Sequence, residues 1–311
     1  MHPVRSVLLA ASESRWMRTH AANLPVFRKA VRRFMPGEEL EDALGAAEVL
    51  RQQDGIATIF TRLGENVRDV TEATAVASHY LDACDRIGQR GLDTQISVKP
   101  TQLGLDIDPA RCRDAVLRLA ERAERQHAML WIDMEQHGYV DATLELYHAV
   151  LARHRNVGVC LQAYLYRTAA DLQAIVAAGG GVRLVKGAYK EPATVAYPKK
   201  PDVDAAYLSL ATTMIKAQTA GDGFRAVFGT HDQAIVAAIQ AYARAAGVPP
   251  GRYEFAMLYG IQHGVQRRLA RNGHRVRVLV SYGDHWFPWY MRRLAERPAN
   301  VWFVARTLFA R

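Results

Sequence analysis

The chain has 311 residues, 50% of them apolar, and its 40 Lys and Arg against 31 Asp and Glu give a formal net charge of +9. This length suits one barrel-sized domain with a large core, and the positive charge favours an anionic ligand, a lipid surface or nucleic acid as partner. The 3 cysteines are widely spaced and no apolar run approaches the ~18 residues of a membrane span, so we expect a cytoplasmic chain without disulfides or a cysteine-bound zinc ion.

The N-terminal part reads differently from the rest. Residues 1–50 show helical patterns and no strand pattern, which predicts an N-terminal helical arm before a catalytic domain at 51–311. From Gly55 onward, a short apolar strand followed by an alanine-rich amphipathic helix recurs along the chain. The strands are predicted at Ile56 to Phe60, Gln95 to Lys99, Met129 to Asp133, Val157 to Ala163, Val182 to Lys186, Phe224 to Gly229, Tyr253 to Leu258 and Val276 to Val280. Such units, with strands apolar on both faces, predict a parallel sheet closed into a (β/α)8 barrel, and a doubly wound open sheet is the alternative.

The strand exits carry most of the polar residues that matter, because the active site of such a barrel lies where its strands end. They are Glu65, Lys99, Asp133 with Met134 and Glu135, Gln162, Arg183 with Lys186, Thr230 to Asp232, Tyr259 and Tyr282. We expect Lys99, Arg183, Lys186 and His231 to converge with Asp133 in a cationic mouth for a ligand with phosphates or carboxylates. The histidines lack paired ligand spacing, so no metal site is expected.

The stretch from Gly179 to Pro192 predicts a ligand-binding site at a strand end. Its apolar strand ends on cations, and the small residues that follow would let a bulky ligand approach the backbone. A buried strand with a solvated lysine is the alternative. The last helix, from His285 to Arg297, has Pro288 in its first turn, large aromatic residues and the pair Arg292 and Arg293. This pattern predicts a lid whose two arginines straddle an anion, with Glu296 orienting Arg292, and an ordinary solvated helix is the alternative.

Seven motifs follow one another at these strand exits. They are Leu63 to Glu65, Ser97 to Gly104, Ile132 to Glu135, Leu161 to Tyr166, Arg183 to Tyr189, Gly229 to His231 and Arg292 to Arg297. With these motifs the sequence resembles the flavin-dependent proline dehydrogenases of the short single-function bacterial type. The resemblance implies a distorted TIM barrel that holds FAD at the strand ends, with the last helix crossing the mouth.

The resemblance also implies roles for single residues. Contacts with FAD are implied for Met134, Gln162, Arg183, Lys186, Gly187, Ala188, Thr230 and His231. Contacts with the substrate are implied for Lys99, Asp133, Tyr189, Leu258, Leu279, Trp289, Arg292 and Arg293. Asp133 and Arg183 are the implied catalytic residues, Glu65 is an implied gate that pairs with Arg183, and Glu296 supports the arginine pair. In such enzymes proline passes a hydride to flavin N5 to give pyrroline-5-carboxylate, and a quinone reoxidises the flavin.

The sequence departs from the family at two positions. Leu279 and Trp289 stand where the family usually has tyrosines that line the substrate pocket. A related cyclic amino acid such as 4-hydroxyproline is therefore an alternative substrate. Two alternatives come from other classes: a Schiff-base aldolase that uses Lys186 or Lys99, and a non-catalytic basic barrel that binds nucleic acid or lipid. The residues show no basic arm with interleaved aromatics, so we expect no nucleic acid partner, and peripheral contact with an anionic membrane fits the charge.

Overall fold

Each strand pairs in parallel with the next one along the chain, and the last strand pairs with the first, so the sheet is a closed barrel. The computed structural model describes residues 31–219, 223–287 and 289–291. Its strands are β1 (Ala57–Arg62), β2 (Thr94–Val98), β3 (Leu130–Ile132), β4 (Val157–Gln162), β5 (Gly181–Val185), β6 (Arg225–Gly229), β7 (Tyr253–Leu258) and β8 (Arg275–Tyr282). The predicted strands and the predicted barrel are confirmed, and the open-sheet alternative is wrong.

Helices cover the outside of the barrel. They are α1 (Leu40–Asp54), α2 (Val70–Gln89), α3 (Pro109–Glu124), α4 (Val140–Leu151), α5 (Thr168–Ala177), α6 (Lys200–Thr219), α7 (Gln233–Ala245) and α8 (His263–Arg271). Aspartates cap several of them, because a short carboxylate can accept from the free backbone N–H groups of a first turn. Asp69 caps α2, Asp108 caps α3 and Asp232 caps α7. Among the helices that the structure describes, none is both long enough and apolar enough to span a bilayer.

Two hydrophobic layers result from the alternation of side chains along the strands. Residues such as Phe60 and Phe228 point outward and pack with the helices in the main core. Residues such as Ile59 and Val227 point inward, where they meet the ring of Trp131. Gly158 leaves room for that ring, since a Cβ at this position would overlap it. The barrel interior is therefore filled with side chains and is not a pore.

Charged residues close the end of the barrel where the strands begin. Glu254 is buried, and its carboxylate accepts hydrogen bonds from Arg225 and Arg277. Arg277 also donates to the Asp93 carboxylate at 2.7 Å. Within this group, the Glu254 carboxylate and the Arg277 guanidinium are both buried, and an unpaired charge at either would be costly.

A second hydrophobic cluster lies at the other end, where the strands finish. It joins Phe34 and Met35 to Leu63 and to the helical segment 286–287 and 289–291. The backbone of Arg33 approaches Gly260 so closely that a side chain at position 260 would overlap it. Helix α1 crosses the predicted boundary at residue 50, and its buried face joins the main core. The division into an arm and a barrel domain stays a prediction, because residues 1–30 lie outside the described part of the chain.

Candidate active site

The ring of Trp131 forms the floor of the barrel mouth. Trp131 is fully buried, and its indole N–H donates to Gln95 Oε1 at 2.6 Å. The Arg183 guanidinium lies over this ring, with its central carbon 5.4 Å from the ring centroid. A cation over an aromatic face is attracted by the ring's electrons, so Trp131 supports Arg183 from below.

Asp133 is the centre of the charged group above that floor. Its Oδ1 accepts from Arg183 Nη2 and from Ser97 Oγ, the latter at 2.9 Å. Arg183 Nη2 also donates to Ser97 Oγ at 2.8 Å, so the three side chains form a closed network. Lys99 lies on the other side of the carboxylate, with Nζ 3.8 Å from Oδ2. Two cations thus flank one carboxylate.

Arg183 is a buried cation, and one of its guanidinium nitrogens has no hydrogen-bond partner in the described structure. The residue is 5% exposed, and although burial alone would lower the pKa of Arg183, the Asp133 carboxylate raises it overall. Its Nη1 is buried and has no hydrogen-bond partner among the residues that the structure describes. Gln162 Oε1, at the end of β4, is likewise buried without a hydrogen-bond partner among these residues. Buried polar groups are normally paired, so these two atoms mark a place for a ligand with polar edges.

Lys186 belongs to a neighbouring cluster. Its Nζ donates to Asp232 at 2.9 Å and to Asp204, which also accepts from Lys200. The hydrogen bond with Lys186 lowers the pKa of Asp232; for Asp204, burial opposes the shift, but the bonds from both lysines lower the pKa. The expected convergence on Asp133 is therefore seen for Lys99 and Arg183, whereas Lys186, at the end of the same strand as Arg183, is paired with Asp204 and Asp232.

His231 uses its ring nitrogen as an acceptor. The backbone N–H of Leu258 donates to His231 Nε2 at 2.9 Å, and a backbone N–H can only donate. Thr230, the preceding residue, is buried, and its Oγ1 accepts from the Asp232 N–H at 3.1 Å. His231 thus ties the ends of β6 and β7 together at the mouth, whereas the Thr230 bond lies within the turn after β6.

Comparison with known proteins gives the family directly. A family model described as "Proline dehydrogenase" matches residues 43–306. The chain is 36% identical to Proline dehydrogenase 1 of Bacillus subtilis (strain 168) over 303 residues, which cover 97% of this chain and 98% of the relative. It is 35% identical to Proline dehydrogenase of Deinococcus radiodurans over 280 residues, 88% of each chain. The chain belongs to the proline dehydrogenase family.

The barrel also resembles solved structures of larger proteins. Proline utilization A (PutA) from Bdellovibrio bacteriovorus, in a crystal structure of the protein inactivated by N-propargylglycine, superposes with a TM-score of 0.81 at 21% identity. The match covers 99% of this chain and 38% of the PutA chain, so this chain spans less than half of that protein. At this identity the likeness shows a shared fold. Membership of the proline dehydrogenase family, which consists of oxidoreductases, makes the aldolase and non-catalytic alternatives wrong.

Several residues of this proline dehydrogenase family member were predicted to contact the substrate, and the structure describes four of the apolar and aromatic ones. Leu258 and Leu279 are half-buried on neighbouring strands, in register with one another, and Leu279 packs on the interior cluster that contains Trp131. Tyr189 is half-buried after β5, and Trp289 packs against the second hydrophobic cluster. Arg292, Arg293 and Glu296 lie outside the described residues, so their predicted roles stay predictions.

Three partners of the charged groups were not singled out by the sequence pattern. Ser97 lies within a family motif, but nothing in the sequence shows that it bonds both Asp133 and Arg183. Asp204 lies in a helix, where an acid normally faces solvent. Trp131 lies in the middle of a strand, where a tryptophan normally fills the core. Within the described part of the chain, no three His, Cys, Asp or Glu side chains are grouped as metal ligands.

Proposed function

We propose that this chain binds FAD at the mouth of the barrel and oxidises L-proline to pyrroline-5-carboxylate. The observation that carries the proposal is Arg183, a buried guanidinium fixed by Asp133 and Ser97 whose Nη1 has no partner in the described structure. It lies at the position that matches the family's flavin-contacting arginine. A rigid donor of this kind serves to orient a cofactor and to tune its electronics.

Several residues fit a flavin at this site. Arg183 Nη1 offers a donor and Gln162 Oε1 an acceptor, and both are buried without partners in the residues that the structure describes. Gly187, which the family pattern places at the cofactor, has φ 115° and packs against the Tyr164 ring, so only glycine fits in this turn after β5. Lys186 is held by two carboxylates, and the family pattern implies that it contacts FAD.

The substrate side follows from charge. The carboxylate of an amino acid requires cations, and Lys99 lies at the mouth beside Asp133. Arg292 and Arg293 are the proposed carboxylate clamp, because paired guanidinium groups bind a carboxylate through several charged hydrogen bonds. Asp133 keeps Arg183 and Lys99 in place, and Met134, Ala188, Thr230 and His231 complete the proposed cofactor contacts.

Bound FAD supplies the hydride acceptor that no side chain can provide. The residues of this chain then have the tasks of orienting the ring carbon next to nitrogen, excluding water and disfavouring the ammonium form of the substrate. Leu279 gives the pocket an apolar wall, and Trp131 supports Arg183 from below. We assign Glu65, half-buried in the loop after β1, to the gate that closes the site over the substrate.

Electrons leave through a quinone in this proposal, and the basic chain meets the anionic inner face of the cell membrane as a peripheral protein. The support is the formal charge of +9, which favours an anionic surface. A cytoplasmic location of the chain fits the same picture. Oxidation of a substituted ring such as 4-hydroxyproline is the second candidate, and the half-buried Leu279 on the inner wall favours it.

Product formation tests the proposal. Purified protein reconstituted with FAD, proline and a soluble quinone should form pyrroline-5-carboxylate, identified by mass. Arg183→Met should lose turnover and weaken FAD binding, because it removes the buried donor and leaves Asp133 without its main partner. No product from wild-type protein that has bound FAD would exclude proline oxidation.

A further inference from the structure

The loop between β1 and α2 is tied by two hydrogen bonds to Thr101, in the turn after β2. The Asn66 N–H donates to Thr101 Oγ1 at 3.0 Å, and the Val67 N–H donates to the Thr101 carbonyl at 3.2 Å. Asn66 has φ 56°, a left-handed backbone that a non-glycine residue adopts at a cost. Glu65, the proposed gate, directly precedes this bend, so the two hydrogen bonds fix the place where the gate begins.

Thr101 is in turn held by Glu135. Glu135 is 3% exposed, and its two carboxylate oxygens accept from the Thr101 N–H at 3.0 Å and from Thr101 Oγ1 at 2.6 Å. The direction of these bonds is forced. The Asn66 N–H can only donate and the ionised Glu135 carboxylate can only accept, so Thr101 Oγ1 accepts from Asn66 and gives its one hydrogen to Glu135.

A buried carboxylate needs such donors to persist. Burial raises the pKa of Glu135, and the two bonds from Thr101 oppose that shift. Glu135 also follows Asp133 by two residues at the end of β3, so one strand end anchors both the charged network under the substrate and the loop that carries Glu65. Nothing in the cofactor or substrate contacts proposed above uses Glu135 or Thr101.

The same loop has a second, weaker contact that acts in the same direction. Gln102, next to Thr101 and also buried, donates from Nε2 to the Arg62 carbonyl at 3.4 Å. Gly64 has φ 144°, and a Cβ there would lie 2.8 Å from that Nε2. The segment from Arg62 to Val67 thus contacts the turn Pro100–Leu103 at both of its ends.

We propose that Thr101 and Glu135 are positioning residues that hold the loop carrying Glu65 over the barrel mouth, an inference that rests on the proposed gate role of Glu65. Neither side chain touches the substrate. Their contribution reaches the reaction through the loop, so it should vanish when the gate carboxylate is removed.

Kinetics with matched variants test this. Thr101→Val keeps the shape but removes both Oγ1 bonds, and it should lower kcat/KM for proline by about ten-fold, or ~1.4 kcal/mol. Thr101→Ser keeps the hydroxyl and should restore wild-type kinetics. Glu135→Gln should resemble Thr101→Val, because an amide has one acceptor oxygen for two donors. Thr143→Val is the control, since Thr143 is buried in α4 and its Oγ1 has no partner within the described residues.

A double-mutant cycle gives the decisive result. In the Glu65→Ala background, Thr101→Val should have no further effect on kcat/KM, since interacting residues give non-additive changes. Additive losses would overturn the inference, and so would a loss with Thr101→Val when Glu65→Ala alone has no effect. If Glu65→Ala lowers kcat/KM and Thr101→Val does not, the gate stands and the positioning role is wrong.

Hydrogen exchange separates this inference from the proposed function, because it needs no activity. In wild-type protein the Asn66 and Val67 amides should both be protected. In Thr101→Val the Asn66 amide should lose its protection, whereas the Val67 amide keeps its backbone acceptor. Unprotected amides in wild type would mean that the loop is not held, whatever the substrate is.

Discussion

At the scale of single residues, we expect Leu279 to decide the substrate range. It lies on the inner wall of the barrel in register with Leu258, half-buried above Trp131. A leucine gives this wall no hydroxyl and less reach than an aromatic ring. An apolar wall distinguishes rings that differ by one methylene by only ~1–3 kcal/mol.

We therefore predict that the wild-type chain accepts 4-hydroxyproline and pipecolate with kcat/KM values nearer to that of proline than Leu279→Tyr does. The larger side chain should narrow the pocket and sharpen the preference for proline by about ten-fold, ~1.4 kcal/mol. Leu279→Met keeps the volume and is the control. A wild type that is already sharply selective, with a ratio unchanged in Leu279→Tyr, would place Leu279 outside the ring pocket.

Some side-chain contacts at the barrel mouth could be predicted from the sequence, and others could not. Lys99, Asp133 and Arg183 were predicted to meet because the ends of parallel strands share one edge, and the structure brings them together. The pairing of Lys186 with Asp204 and of Thr101 with Glu135 was not predicted. Which of several nearby partners a long side chain selects depends on loop geometry, and strand periodicity contains no information about it.

At the scale of elements, the strands were predictable because short apolar runs alternate with amphipathic helices, and the loops between them were not.

Asp232 shows how one residue serves two elements. Its carboxylate caps α7 by accepting from the Ala234 N–H at 3.2 Å, and it accepts from Lys186 at the end of β5. This joins a helix start to a neighbouring strand exit.

The pH dependence of stability should reveal this joint. The hydrogen bond with Lys186 lowers the pKa of Asp232 below the ordinary value of about 3.9. A group with a lowered folded-state pKa stabilises the protein above its unfolded pKa, and this contribution is lost as the pH falls through the folded-state pKa. The difference in unfolding free energy between wild type and Asp232→Asn should be constant from about pH 7 to pH 5 and shrink below about pH 4.

Asparagine can still cap α7, so the Asp232→Asn comparison isolates the charge. Asp114→Asn, at a side chain on α3 that is 67% exposed, is the control and should show a small difference at every pH. Urea unfolding at several pH values measures both. A difference for Asp232→Asn that grows on acidification would contradict the account.

At the scale of the whole molecule, we expect one end of the barrel to serve catalysis and the other end to serve stability. The end where strands finish carries the charged network, the gate loop and the cofactor contacts proposed above, whereas the opposite end is closed by Glu254, Arg225 and Arg277. Side chains at the strand starts of such barrels serve stability. The two functions should therefore respond to different substitutions.

Glu254→Gln tests this separation. It leaves the buried Arg277 beside a neutral group, and breaking a buried pair costs about 3–5 kcal/mol of unfolding free energy. Asp93→Asn is the control, because Asp93 is 69% exposed and such pairs contribute about 0–1 kcal/mol. Urea unfolding should show the difference, while kcat/KM per folded molecule stays at the wild-type value. A stable Glu254→Gln protein with impaired catalysis would contradict the division.

The proposal as a whole depends on electrons passing from a cyclic amino acid to a flavin bound above Arg183. The most direct measurement is the visible absorbance of the FAD-reconstituted protein, recorded without oxygen before and after addition of L-proline. We predict a bound flavin spectrum that bleaches with proline and returns with a quinone. A protein that binds no flavin, or whose bound flavin keeps its absorbance with proline and related ring amino acids, would contradict the account.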